Sequence, residues 1–180
     1  MADAVIIVAV VVYGLIQYQK VKGDNHLISE RVVQAPIGEV WEIIADVGNY
    51  ENVTGPGIHR VDILQGSGQG MVRECADSEG NSWEELCTLW EPGHQFKFEV
   101  NTNREDYTYP FKKLSGLWQV DALGPTTTRI TMDFSYQFKS PFVSGLFLPF
   151  AMSRAREDSE YIMDNWQRMA EQHKVTLSDE

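Results

Sequence analysis

Residues 127–138 read TTRITMDFSYQF. Ile130, Met132, Phe134, Tyr136 and Phe138 alternate with Arg129, Thr131, Asp133, Ser135 and Gln137. A period of two puts the apolar side chains on one face and the polar ones on the other, as in a half-buried antiparallel strand. The same period runs back through the chain and predicts strands at 58–64, 71–77, 82–90, 95–101 and 112–122. Between them lie turn signals: Gly66-Ser67-Gly68-Gln69-Gly70, Ser78-Glu79-Gly80-Asn81, Pro92-Gly93, and a polar, aromatic loop over 102–110. Strands joined by such turns form an antiparallel meander, and a sheet of that size curls.

Helical spacing frames the meander. Residues 26–34 (HLISERVVQ) have strand composition, and Pro36 then suits the first turn of a helix over 36–46, with Ile37, Val40, Trp41, Ile44 and Ala45 on one face. A second short helix or turn follows at 47–53, and Thr54-Gly55-Pro56-Gly57 breaks it. After the last strand, Ser140-Pro141 can cap a long helix that carries Leu146, Phe147, Phe150, Met152, Ile162, Trp166 and Met169, with Pro149 either kinking it or marking its start. That helix is the only element able to cover a concave sheet face. The expectation is an α+β domain over 26–175: a curved antiparallel sheet of about seven strands around a long C-terminal helix. Residues 1–19 form a separate N-terminal apolar helix, 20–25 a linker and 176–180 a tail.

Bulk properties narrow the function. A net charge of −11 over 180 residues disfavours nucleic acid as a partner. His26, His59, His94 and His173 have no metal-ligand spacing, so no metal and no cofactor is expected. The glycine loop at 66–70 joins strand to strand and lacks the helix a phosphate site requires. Cys75 and Cys87 are too few for a disulfide framework.

Residues 4–16 read AVIIVAVVVYGLI without a charge. A cleaved signal peptide needs a basic leading region and a small-residue cleavage site, and neither is visible. A buried strand of thirteen residues is long. The expectation is an uncleaved single-pass membrane anchor. Lys20 and Lys22 follow it and Asp3 precedes it, which places the folded domain in the cytoplasm.

A hairpin centred on Glu79-Gly80, with Ser78 facing Asn81, sets Cys75 across from Glu84, Arg73 across from Leu86, and Glu74 across from Glu85. Like charges directly opposite are tolerable in water and costly inside. In that register Glu74 and Glu85 face out, while Arg73, Cys75, Glu84 and Leu86 face in, with Arg73 and Glu84 as a diagonal ion pair. Cys75 and Cys87 then lie on opposite faces and form no disulfide.

The stretch Glu30-Arg31-Val32-Val33-Gln34-Ala35-Pro36-Ile37-Gly38-Glu39-Val40-Trp41 resembles the opening of the START-like (SRPBCC, Bet v 1-like) superfamily, in its polyketide cyclase/dehydrase and lipid-transport branch. Asp46-Val47-Gly48-Asn49-Tyr50, Gly70-Met71-Val72-Arg73, Glu84-Glu85-Leu86, Pro92-Gly93 and Thr127-Thr128-Arg129-Ile130-Thr131-Met132 follow in the family's order, over about residues 26–174. The resemblance implies a helix-grip fold with a cavity between sheet and long helix that takes a lipid, quinone or polyketide-like molecule. Arg73 and Glu84 are then candidates to orient a polar head, or else a structural ion pair. Leu86, Phe96, Phe98, Trp118, Phe134 and Tyr136 are candidate wall residues, and Tyr107, Tyr109 and Phe111 a candidate entrance. The leading expectation is a membrane-tethered carrier or sensor without catalytic residues. The alternatives are a cyclase or dehydratase-type enzyme using the same cavity, and a protein-interaction module with a vestigial one.

Overall fold

A computed structural model describes residues 2–55 and 57–177; Met1 and the end of the expected 176–180 tail lie outside the described residues. Helix α1 (Ala2–Val21) precedes strand β1 (Asn25–Val33), helix α2 (Ile37–Ile44) and a 3-10 turn (Val47–Asn52). Then come β2 (Arg60–Gln65), β3 (Val72–Ala76), β4 (Ser82–Glu91), β5 (Gln95–Val100), β6 (Phe111–Gly124), β7 (Thr127–Phe138) and α3 (Pro141–Leu177). The seven strands form one antiparallel sheet in the order β1-β7-β6-β5-β4-β3-β2. The alternation read in 127–138 is the burial pattern of β7: Ile130 and Met132 are sealed, and Arg129 and Thr131 are not. Register shifts in β2, β4 and β6 bend the strands and help the sheet wrap. Helix α3 starts at Pro141 and runs through Pro149, so that proline does not mark its start.

Aromatic side chains fill the space between the sheet and the cap formed by α2 and α3. Phe96 stacks on Trp118 and on Trp90, both at 5.2 Å, and Trp41 of α2 meets Trp90 and Phe96 edge-on. From α3, Met163, Trp166 and Ala170 close this cluster. Tyr50 packs against both Trp118 and Trp166, and its hydroxyl donates to the Ile44 carbonyl at 2.7 Å. A second cluster at the other end of α3 joins Val21, Leu27, Tyr136 and Phe138 to Leu148 and Met152.

Helix α1 reaches two residues beyond the expected 1–19 segment and takes Lys20 with it, leaving only Lys22–Asp24 as linker. Its last two turns run parallel to the start of α3. Gly14 lies against Phe142 and Leu146, and Gly145 against Gln17 and Tyr18. The crossing is close: a Cβ on Gly14 would fall 2.7 Å from the Phe142 ring, and one on Gly145 2.8 Å from Gln17. Among the described residues, no helix is long and apolar enough to cross a membrane.

Replacing Tyr50 by Phe keeps the ring packing and removes the donor to Ile44. We expect it to lower stability by about 1–2 kcal/mol in urea unfolding, the cost of an orphaned buried acceptor.

Candidate functional site

The β3–β4 turn corrects the register expected from sequence. The amide of Asp77 donates to the Asn81 carbonyl at 3.0 Å, so the loop is the three residues Ser78-Glu79-Gly80 rather than two. Asp77 sets this length, because its Oδ1 accepts from the amides of both Glu79 and Asn81 at 2.9 Å. Gly80 supplies the left-handed residue, at φ +87°, that a three-residue hairpin loop needs. One extra loop residue shifts every pair by one. Arg73 therefore faces Glu85, Glu74 faces Glu84, and Cys75 faces Trp83.

That shift exchanges the two glutamates. Glu85 points inward and pairs with Arg73. Glu84 lies on the outer face, where Asn101 donates to it and no ligand held in the cup can reach it. Leu86 also faces out, 45% exposed. The like-charged outer pair, Glu74 and Glu84, is relieved by Arg60 and Arg104, which reach Glu74 at 2.9 and 2.8 Å. Cys75 and Cys87 share the inner face, contrary to expectation. They are nonetheless free and buried, because they lie about four residues (about 13 Å) apart along the strands. Burial pushes both thiols above their ordinary range.

Arg73 is sealed completely. Its Nε donates to Glu85 Oε2 at 2.8 Å, Nη2 lies 2.7 Å from the same oxygen, and Nη1 donates to the Val47 carbonyl at 2.9 Å. The guanidinium lies over the rings of Phe98 and Tyr50, at 4.1 and 4.9 Å. Burial acts to lower its pKa, but the Glu85 carboxylate and the other groups packed around it together outweigh that and hold it up. Glu85 Oε1 accepts from Trp83 Nε1 at 2.7 Å. Trp83 meets Tyr109 edge-on at 5.5 Å, and the Tyr109 hydroxyl donates to Asp77 at 2.6 Å. A continuous chain of contacts thus runs from the buried arginine to the surface.

That chain ends on a cleft of about 340 Å³ between α3 and the strand tips. Trp83, Tyr107, Phe111 and Leu114 give it an apolar floor. Asp77, Ser78, Glu79, Tyr109, Arg154 and Asp158 form a polar rim, and Gly57 closes one corner. Tyr107 is 6% exposed, and its hydroxyl has no hydrogen-bond partner among the described residues. Burial pushes this phenol upward, as it does Tyr109, which the Asp77 carboxylate raises further. Burial acts to raise Asp77, yet hydrogen bonds from Tyr109, Asn81 and the Glu79 amide hold it below the usual carboxylate range. A larger concavity, about 690 Å³, is bounded by one charged stretch of α3, Met152 to Asp164, and is open surface rather than a container.

The structure brings Tyr107, Tyr109 and Phe111 together on the cleft wall. Phe96, Phe98 and Trp118 instead pack on one another, Phe134 lies edge-on to Trp118, and Tyr136 belongs to the second cluster, its hydroxyl 3.3 Å from Met152 Sδ. Trp83, Leu114, Asp77, Arg154 and Asp158 were missed by sequence reasoning. The acid just before Ser-Glu-Gly-Asn was the available signal for Asp77 and the true loop length. Nothing local marks the two α3 residues.

Residues 26–171 match the family described as polyketide cyclase / dehydrase and lipid transport. Among curated proteins, the chain is similar to the ribosome association toxin RatA of Pseudomonas aeruginosa, 23% identical over 128 residues, covering 70% of this chain and 84% of that one. Among solved structures it is similar to the ZhuI aromatase/cyclase of Streptomyces sp. R1128, with TM-score 0.67, 22% identity, and coverage of 83% and 94% of the two chains. A START superfamily protein of Mycobacterium smegmatis aligns with TM-score 0.61, 17% identity, and coverage of 83% and 99%.

The two glutamates separate the two registers by experiment. Glu85→Gln leaves Arg73 buried without its counter-charge and should cost about 3–5 kcal/mol in denaturant unfolding. Glu84→Gln, on the outer face, should change stability by less than about 0.5 kcal/mol.

Proposed function

The chain belongs to the polyketide cyclase/dehydrase and lipid transport family, and we propose that it binds a hydrophobic small molecule in the cleft beside α3 while held at a membrane by α1. One observation carries the ligand reading. The Tyr107 hydroxyl is buried in the wall of an aromatic-floored cleft and has no partner among the described residues. A buried hydroxyl left unpaired is costly, and a ligand with one acceptor above an apolar body would satisfy it. The cleft volume lies in the range of small-molecule sites. Arg73 does not touch the ligand; it fixes Glu85 and, through it, Trp83.

The tether rests on the apolar run at 4–16 and on the side chains of α1. Val5, Ile6, Ile7 and Val8 are each at least 60% exposed, and four consecutive helical residues cover the whole circumference. A helix apolar all round belongs in a core or in lipid. With Lys20 and Lys22 just after the run, this reading has the domain on the cytoplasmic side. Hydrophobic cargo partitions into bilayers, so a cup held there meets its ligand at high local concentration.

The enzyme reading is weaker. Tyr107 and Tyr109 are both pushed above the ordinary phenol range and exchange protons poorly near neutrality. Arg73, Glu84 and Tyr136, the polar residues among the candidates read from sequence, do not line the cleft. The name of the Pseudomonas relative concerns ribosome association. At 23% identity that likeness is one of fold, and a net charge of −11 works against nucleic acid as a partner.

The chain, purified in mild detergent, should carry a co-purifying lipid detectable by mass spectrometry; an empty cleft that takes up no fatty-acid probe would sink the reading. Tyr107→Phe should leave stability unchanged or slightly raised, because the hydroxyl has no partner among the described residues. It should weaken parinaric acid binding about tenfold, the worth of one hydrogen bond.

A further inference from the structure

Three surfaces remain without a role: the outer turns of α1, the first turns of α3, and a set of unpaired lysines. All three lie at one end of the molecule. α1 and α3 run parallel, with Gly14 beside Phe142, so residues 2–13 carry α1 about 18 Å past the start of α3. Beside it, Phe142, Val143 and Phe147 on α3 are 38%, 52% and 66% exposed. No charged residue occurs in α3 before Arg154. Two helices thus form one apolar prong that overhangs the sheet.

The prong rises from a collar of positive charge. Lys20 and Lys22 end α1; Lys112 and Lys113 open β6; Lys139 joins β7 to α3. Strand pairing holds these segments together: Phe111 lies opposite Phe138 and Lys113 opposite Gln137, while Gln137 donates to Asp24 at 2.7 Å. All five lysines are exposed, and none is in a salt bridge among the described residues, whereas Lys97 pairs with Glu99. The acids at this end are Asp3 in the first turn of α1, Asp24, which accepts from Gln137, Glu105 and Asp106, the latter paired with Arg104, and on the cleft rim Asp77, Glu79 and Asp158. Five positive charges without a carboxylate partner among the described residues therefore gather at one end of a chain whose net charge is −11, Lys139 donating to the Tyr107 carbonyl.

We infer that this end docks on an anionic bilayer: the α1–α3 prong enters the hydrocarbon and the five lysines meet the acidic headgroups. Each lysine held near such a surface adds attraction that a neutral bilayer does not offer. The docked pose also orients the cleft. Lys139 Nζ lies 4.9 Å from the centre of the Tyr107 ring, and Phe111 directly precedes Lys112, so the cleft wall begins where the collar ends. Its mouth then opens at headgroup level. The inference rests on the proposed tether and adds to it the charge class of the membrane and a second inserted element.

The test reconstitutes the full chain into vesicles of neutral phosphatidylcholine and into vesicles with 30% phosphatidylglycerol. A membrane-impermeant amine-acylating reagent is added, and each lysine is followed by mass spectrometry. Lys97 normalises for copies facing the lumen. We expect Lys20, Lys22, Lys112, Lys113 and Lys139 to react at least tenfold more slowly on the anionic vesicles, with Lys97 unchanged. Equal incorporation with equal collar rates would overturn the inference and leave the tether standing. A chain that joins neither vesicle and runs as a discrete dimer would overturn both and assign the apolar prong to a second copy.

Discussion

The cup is organised around the demand of one buried cation. Arg73 has no access to water, and a charge in that position requires a counter-charge and hydrogen bonds that fit it closely. Glu85 supplies the first, the Val47 carbonyl adds a bond, and two aromatic faces complete the enclosure. The pair has one solution in the β3–β4 hairpin, since a slip of one residue would place Leu86 opposite Arg73 and expel Glu85. It thereby holds the register of the sheet's outer half, keeps Glu74 and Glu84 in solvent, and orients the tryptophan that floors the cleft. The bond to Val47 also links the sheet to the 3-10 turn, on which Tyr50 carries contacts onward to α3.

Much of this was legible in the sequence, because the governing signals are periodic. Alternation in 127–138 located β7 to the residue, and the spacing of Ile37, Val40 and Ile44 located α2. The rule that like charges stay outside also held. What it could not supply was the partner, because register depends on loop length and a single residue reverses every assignment. Glu84 and Glu85 were exchanged for that reason, and the inward cysteines were separated for the same one. Asp77 carried the correction, but only as a local hydrogen-bonding preference.

The interior was harder to read. Phe96, Phe98 and Trp118 were expected to bound a space, and instead they occupy it, since alternation reports which face is apolar and not what volume remains there. The cleft lies where loops, a strand start and the flank of a helix converge. Such convergence depends on tertiary contacts that no local pattern encodes. Arg154 and Asp158 look in sequence like any solvated helical pair.

Helix α3 spans 37 residues, about 55 Å. Its first turns belong to the apolar prong, its middle flanks the cleft, and its last described turns close the aromatic core. Whatever grips the prong therefore holds one arm of a lever whose other arm covers the cup. A tilt of about 5° about Trp166 would displace the start of the helix, about 38 Å away, by roughly 3 Å. Pro149 lies between the two arms and has no amide hydrogen to complete the helical ladder there. The shaft thus has a softened point where load from the surface would concentrate, and the cleft lies just beyond it.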